Sequence, residues 1–423
     1  MHNRKKYKVK LDNTAIIHMA SHNKSWLNIF RLSITLKEEI HPAILQEALN
    51  VVTERFPTIA ARISKGIFWY YLEPVYKAPI IEKDTKLLKY MSKKDLYKSS
   101  FRVLYSEKSI HVELFHSLTD GKGGMVFLKS LVYEYLKRKE GLHLKDREDI
   151  LDTNEHPSKD EIADNYKDIK IKQKNKVTFK NNQVYQLKGK TINKLKTEKY
   201  IIDIVDIKKI AKDMNISLTV LVASMIIMGL INLQKEEMKT QSQKDIKIFL
   251  PIDLRNVFHK NTLRNFVLYM KPQINPKVQD YTLNEIIKII DNQLKSGLSE
   301  DNLRTRIQKN VSIQNSIFIK MMPLFIKQYF LKRSFLFSEK TTCLTLSNLG
   351  LIRMPMEMDK YIDRVDCILN TRSRTPYNCS MLSYDNKLYI NLVRDIEQPL
   401  LELEINKLLK QLNIKYEVES NEY

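Results

Sequence analysis

The sequence predicts an α/β protein built from two domains. Three observations carry this expectation. The chain has 423 residues, whereas single domains usually span about 100–200. Segments of alternating apolar residues take turns with segments of helical period along most of its length. A polar stretch of weak periodicity, residues 145–190, breaks that alternation before the midpoint.

In the first domain, residues 27–36 alternate as a strand. Pro42 sits where a first helical turn begins and its missing N–H is harmless. Leu45, Leu49, Val52 and Phe56 then share one helical face, and Pro57 closes the helix. An aromatic-rich strand is expected at 67–72. Two more follow at 101–105 and 110–115, the second with Ile110, Val112 and Leu114 alternating with His111 and Glu113. The segment HSLTDG, 116–121, comes next, with a tight turn expected at Asp120–Gly121. A helix over 125–138 follows, with Phe127, Leu128, Leu131 and Tyr135 on one side. HSLTDG therefore occupies a loop between a strand and a helix, where a rigid scaffold can aim functional side chains.

Residues 145–190 read as a domain connection with its boundary near 175, giving domains 1–175 and 176–423. A surface excursion inside one domain is the alternative. Beyond it the pattern gives a strand at 200–205 and a helix from Ile207 capped by Asp206. Ser217 precedes a nearly apolar helix, 218–233. Strands follow at 246–252, ending in PIDLR, and at 266–270. A helix at 283–294 and strands at 343–346 and 387–393 complete the series.

The formal net charge is +22. It fits an anionic partner or a Lys-rich surface equally. The cluster Arg4, Lys5, Lys6, Lys8 and Lys10 reads as a solvated tail or a binding arm. Cys343, Cys367 and Cys379 form no C-x-x-C pair and no zinc spacing, and no metal site is expected. The first residues lack an apolar core after their basic residues, so no secretory signal is expected and a cytoplasmic location fits. The longest apolar stretch, 317–337, is interrupted by Lys320, Pro323, Lys327, Gln328, Lys332 and Arg333, which argues against a membrane span. A core helix with snorkelling lysines is expected there; an interfacial helix in transient membrane contact is the alternative. No zinc finger, RNP-like motif or basic zipper points to specific nucleic-acid binding.

His116 and Asp120 are the residues best suited to chemistry. A neutral imidazole can take a proton near pH 7, since its unperturbed pKa is about 6.5. A four-residue offset across a turn suits Asp120 less to a His–Asp bond than to an ion pair with a distant arginine. Arg255 of PIDLR is the candidate. Ordinary surface residues that never meet are the competing account of all three.

FHSLTDG at 115–121, PIDLR at 251–255, LRNF at 263–266 and TLSNLG at 345–350 occur in an order that resembles the acyltransferase superfamily of chloramphenicol acetyltransferases, condensation domains and plant BAHD enzymes. The bacterial alcohol acetyltransferase and wax-ester-synthase-like group is the most similar branch. The resemblance implies two chloramphenicol-acetyltransferase-like mixed-sheet subdomains, with a central tunnel at their interface. It makes His116 the general base, and Asp120, Gly121 and Arg255 structural residues of the site. It sets Asn265, Phe266, Ser347 and Asn348 beside the tunnel or an oxyanion site. The implied donor is acyl-CoA, with no tightly bound cofactor. The implied acceptor is a small or lipid-like alcohol.

The pattern departs from its relatives in two places: Phe115 replaces the first of two histidines, and no DFGWG segment is present. Three further readings stay open. One is a condensation-type enzyme served by an acidic acyl carrier protein, with an amine or lipid-like acceptor. Another is a triad that draws on a remote serine. The third is a non-catalytic binding module on the same fold.

Overall fold

The computed structural model describes residues 7–170, 182–372 and 374–421. The boundary expected near residue 175 lies outside the described residues, as do Arg4, Lys5 and Lys6. The first half contains β1 (Val9–Lys10), α1 (Asn13–Ser21), β2 (Ile29–Leu36), α2 (Pro42–Arg55), β3 (Ala61–Lys65), β4 (Tyr70–Pro74), β5 (Glu82–Lys83), α3 (Lys93–Leu96), β6 (Phe101–Tyr105), β7 (Ser109–Phe115), α4 (Gly121–Glu140) and α5 (Lys159–Ile162). The middle follows with β8 (Thr191–Asp203), α6 (Ile204–Asp213), α7 (Leu218–Glu237), β9 (Ile246–Asp253), α8 (Arg255–Phe258), β10 (Val267–Met270), β11 (Gln273–Ile274), α9 (Leu283–Gly297), α10 (Glu300–Asn315), α11 (Ile317–Met321) and α12 (Leu324–Glu339). The end supplies β12 (Leu344–Leu351), α13 (Met356–Asp359), β13 (Ile362–Leu369), β14 (Tyr377–Tyr384), β15 (Lys387–Ile396), α14 (Leu400–Gln411) and β16 (Tyr416–Ser420).

These strands form mixed sheets, as the α/β pattern predicts. One sheet has the order β13-β2-β7-β6-β5. A larger one has the order β10-β9-β12-β14-β15-β8-β16, with β11 on β9, and β1-β4-β3 make a small third. β12 lies parallel to both β9 and β14, inside a sheet whose other pairs are antiparallel. β13 arrives late in the chain yet pairs with β2, Leu369 opposite Phe30. The two large sheets are thereby tied by continuous chain. Each has its own apolar core, one around Leu32, Val112 and Phe127 and the other around Ile226, Ile248 and Leu392.

Local chemistry explains where the elements start. Pro42 is the first residue of α2, which buries Leu45, Leu49 and Val52. Ser217 caps α7 by accepting from Val220 N. By length and composition α7 could cross a membrane, but 72% of its apolar window is buried in the fold.

Several sequence expectations need correction. The strand expected at 67–72 straddles a hairpin turn closed by Gly66 N donating to Trp69 O at 2.8 Å. Alternation alone could not see that turn. Asp203, not Asp206, caps α6, because β8 continues to Asp203 and its carboxylate accepts from Val205 N at 2.9 Å. The helix after HSLTDG begins at Gly121 because Asp120 caps it. Residues 317–337 are not a core helix: Phe318 and Phe325 are 85% and 69% exposed. Charged groups are enclosed on β7. Glu113 is fully buried and accepts from Arg31 at 2.6 Å, from Leu88 N at 2.9 Å and from Arg102.

Glu113→Ala leaves Arg31 and Arg102 short of a buried partner. It should destabilise the fold by about 3–5 kcal/mol, read as a lowered urea midpoint with unchanged slope.

Candidate active site

β7 delivers the chain to His116, and the turn follows at once. His116 N donates to Asn28 O at 2.8 Å, and Leu118 N to Phe115 O at 2.9 Å. Ser117 Oγ donates to Ala15 O, and Thr119 Oγ1 to Leu263 O, both at 2.6 Å. The loop is thus fastened to the N-terminal segment on one side and to the second sheet's loops on the other. The turn lies at 116–118, not at Asp120–Gly121: Asp120 has extended backbone, φ −94°, and Gly121 opens the helix. The glycine that the packing demands is Gly123. A Cβ there would stand 2.2 Å from Thr119 Oγ1 and 2.3 Å from Leu263 O.

Asp120 and Arg255 meet. Asp120 Oδ1 accepts from Arg255 NH2 at 3.0 Å and from Gly123 N at 3.1 Å, while Oδ2 accepts from Phe266 N at 2.9 Å. Arg255 also donates to Thr262 O, Arg264 O and Asp253 Oδ1, each at 2.8 Å. Both side chains are nearly enclosed. Burial disfavours a bare guanidinium charge, yet Asp120 and Asp253 hold Arg255 above its ordinary pKa. No hydrogen bond joins Asp120 to His116 among the described residues. Asn265 Nδ2 donates to His116 O at 3.0 Å, and Phe266 is buried against Tyr166.

Sequence reasoning missed His18. It stands on α1 and stacks on His116, ring centroids 4.7 Å apart and planes 12° off parallel; Phe30 lies 4.5 Å from the His116 ring. Asn28 organises both imidazoles. Its carbonyl oxygen accepts from Trp26 Nε1 at 2.5 Å, and its amide donates to His18 O and Ser21 Oγ, both at 3.1 Å. The same carbonyl oxygen lies 2.9 Å from His18 Nδ1, so His18 carries its proton on Nδ1. His116 Nδ1 is buried without a hydrogen-bond partner among the described residues. The His116 side chain borders open space.

That space is a cavity of about 1450 Å³. His18, Trp26, Phe30, His116, Phe249 and Phe335 are part of its wall. Ser347 and Asn348 line it from β12, but the Asn348 amide is committed, donating to Thr219 Oγ1 and accepting from Gly350 N, both at 2.8 Å. Arg372, also absent from the sequence reading, brings a cation to the same wall. It donates to Thr345 Oγ1 at 2.5 Å and lies over the Trp26 ring at 4.5 Å. Burial pushes Arg372 down to about 10, still charged at neutral pH. Burial also pushes His116 down to about 4 and His18 to about 3, and the Arg372 charge adds to both shifts. At pH 7 the cavity therefore presents two neutral imidazoles beside a fixed positive charge. The three cysteines are buried thiols; burial pushes Cys343 and Cys367 up to about 12, which makes them poor nucleophiles.

Solved structures share this fold across almost the whole chain. Polyketide synthase associated protein 5 from Mycobacterium tuberculosis is 14% identical, with a TM-score of 0.57 over 95% of this chain and 96% of its own. F. graminearum TRI101, complexed with coenzyme A and deoxynivalenol, is 11% identical, with a TM-score of 0.63 over 97% and 99%. A wax ester synthase/diacylglycerol acyltransferase from Marinobacter aquaeolei VT8 is 10% identical, with a TM-score of 0.56 over 96% and 100%. No protein-family model and no curated protein matches the sequence. At these identities the likeness establishes the fold alone.

Two outcomes follow. Arg255→Ala strands a buried carboxylate and should cost about 3–5 kcal/mol in chemical denaturation. His116 and His18 titrate near 4 and 3 when folded but near 6.5 when unfolded. The unfolded chain then binds more protons below that value. Their contribution to stability is complete above about pH 6.5 and is lost as pH falls toward about 4, so the melting temperature should drop across that window.

Proposed function

We propose that this protein is an acyltransferase that moves an acyl group, acetyl being one candidate, from a coenzyme A thioester to an alcohol, with His116 as general base. The observation that carries the reading is a neutral imidazole locked in place on the wall of a large, mostly apolar cavity. The solved structure with coenzyme A on the same fold supports the choice of donor.

The steps balance without a covalent enzyme intermediate. His116 Nε2 takes the acceptor hydroxyl proton as the oxygen attacks the thioester carbonyl carbon. The tetrahedral intermediate collapses, the C–S bond breaks, and the imidazolium returns its proton to the departing thiolate. Ester and free thiol leave. A placed base of this kind contributes about 10²–10⁴-fold. Arg372 offers a fixed positive charge for the oxyanion, where preorganised charge is most effective. Asn265 is better suited to positioning His116, because its amide is already spent on the His116 carbonyl. In this reading Asp120, Gly121, Arg255 and Phe266 hold the loop, and Ser347 and Asn348 flank the donor or acceptor path.

The cavity lies among residues of both proposed domains, 1–175 and 176–423, and we take it as the tunnel in which the two substrates meet. Its wall includes Ile16, Trp26, Phe249, Phe330, Leu331 and Phe335. Such a wall favours an apolar acceptor, as the name of the wax ester synthase on this fold suggests. A carrier-protein thioester is the alternative donor, and competition between coenzyme A and an acidic carrier separates the two.

His116→Ala should lower kcat/KM by about 10²–10⁴-fold with the fold retained by circular dichroism, measured as thiol release from an acyl-CoA series with alcohol acceptors. Equal turnover by both proteins would overturn the assignment. In the wild type, the acid limb of kcat/KM should fall near the folded-state value of about 4, far below that of a free imidazole.

A further inference from the structure

α11 and α12 leave an apolar surface uncovered. Phe318, Ile317, Met321, Phe325, Phe330 and Tyr329 are between 57% and 85% exposed. Within α12 only Leu324, Lys327 and Glu339 are buried. The surface continues onto a second segment. Leu324 N donates to Ile67 O, and Lys327 Nζ to Phe68 O, both at 3.0 Å, and Ile67 and Phe68 are themselves exposed. Patches of this extent on a soluble chain mark an interaction face.

Charge selects the occupant. From residue 302 to residue 338 the chain has no Asp or Glu, but it has Arg304, Arg306, Lys309, Lys320, Lys327, Lys332 and Arg333. Lys309, Lys320, Lys332 and Arg333 are exposed, among the bare apolar side chains. A second copy would bring the same exposed Lys309, Lys320, Lys332 and Arg333 against this face, on a chain whose net charge is already +22. An anionic headgroup layer over an acyl interior satisfies both features at once.

We propose that α11, α12 and the Ile67–Phe68 turn form a docking face for an anionic lipid bilayer. The position of α12 gives this face a use. Its outer side carries Phe325 and Tyr329, while Leu331, Ser334 and Phe335 on the same helix line the cavity that contains His116. One helix therefore separates the bilayer from the cavity, and an amphiphile leaving the bilayer has a short apolar route inward. The docking face stands whether or not the acyl-transfer reading does, because its test needs no turnover.

The full-length protein is sedimented with vesicles of phosphatidylcholine alone and of phosphatidylcholine mixed with phosphatidylglycerol. Wild type should pellet with the anionic vesicles and be released by high salt. Phe318→Ser with Phe325→Ser, and separately Lys320→Glu with Lys332→Glu and Arg333→Glu, should each weaken binding by at least about tenfold. Circular dichroism and melting temperature should stay unchanged, since all five side chains are exposed and none lines the cavity. Absence of wild-type binding, or equal binding by wild type and the Phe variant, would overturn the proposal. So would a wild-type dimer that the Phe variant converts to monomer, because a second copy would then be the occupant.

Discussion

The Asp120 carboxylate is the constraint on which the rest of the site depends. One oxygen receives Arg255 and the first turn of α4, and the other receives the main chain of Phe266. The loop leaving the smaller large sheet is thus pinned to the segment that follows β9 in the other. Such a buried pair adds little net stability over an apolar pair, but removing either partner is expensive. Its contribution is geometric. The loop can close only where Gly123 lets Thr119 and the Leu263 carbonyl approach, and that closure fixes the direction in which β7 delivers His116.

The imidazole is then held from three other directions. Asn28 accepts its main-chain N–H, Asn265 takes its carbonyl, and His18 and Phe30 pack on its ring. Asn28 adopts φ +50°, a left-handed conformation that Asn tolerates better than most residues. That conformation belongs to the residue whose side chain also sets the His18 tautomer. Enclosure and the Arg372 charge keep both rings neutral, so the His116 ring stays unprotonated far below the pH at which a solvated imidazole takes up its proton. Phe115, which precedes His116, is buried and its ring meets His22 edge-on. The second imidazole at this site comes from α1.

Much of this was legible because it rests on local rules. Pro42, Ser217 and the alternation of 110–115 mark element starts and faces that the structure reproduces to within a residue. A carboxylate in the loop after a strand and a remote arginine in PIDLR read as a candidate ion pair, and Asp120 and Arg255 do meet. What was illegible depends on distant partners. His18 is an ordinary residue of an N-terminal helix until folding lays it on His116, and Arg372 lies in a short connection without a motif. Glu113 has no motif in the sequence, and only the fold brings Arg31 and Arg102 to enclose it. The 317–337 stretch misled because its apolar content is the same in a core as on an uncovered face. The basic residues mixed among its aromatics are the feature that keeps an interfacial helix open as the alternative.

The central claim is that the Asp120 closure keeps His116 neutral and enclosed. It is tested most directly by nitrogen NMR of ¹⁵N-histidine-labelled protein, titrated in parallel with Asp120→Ala. The account predicts a wild-type His116 that keeps an unprotonated Nε2 down to about pH 4, and a variant in which it titrates close to the free imidazole value. A wild-type His116 that takes up its proton near 6.5, as a solvated ring does, would contradict it.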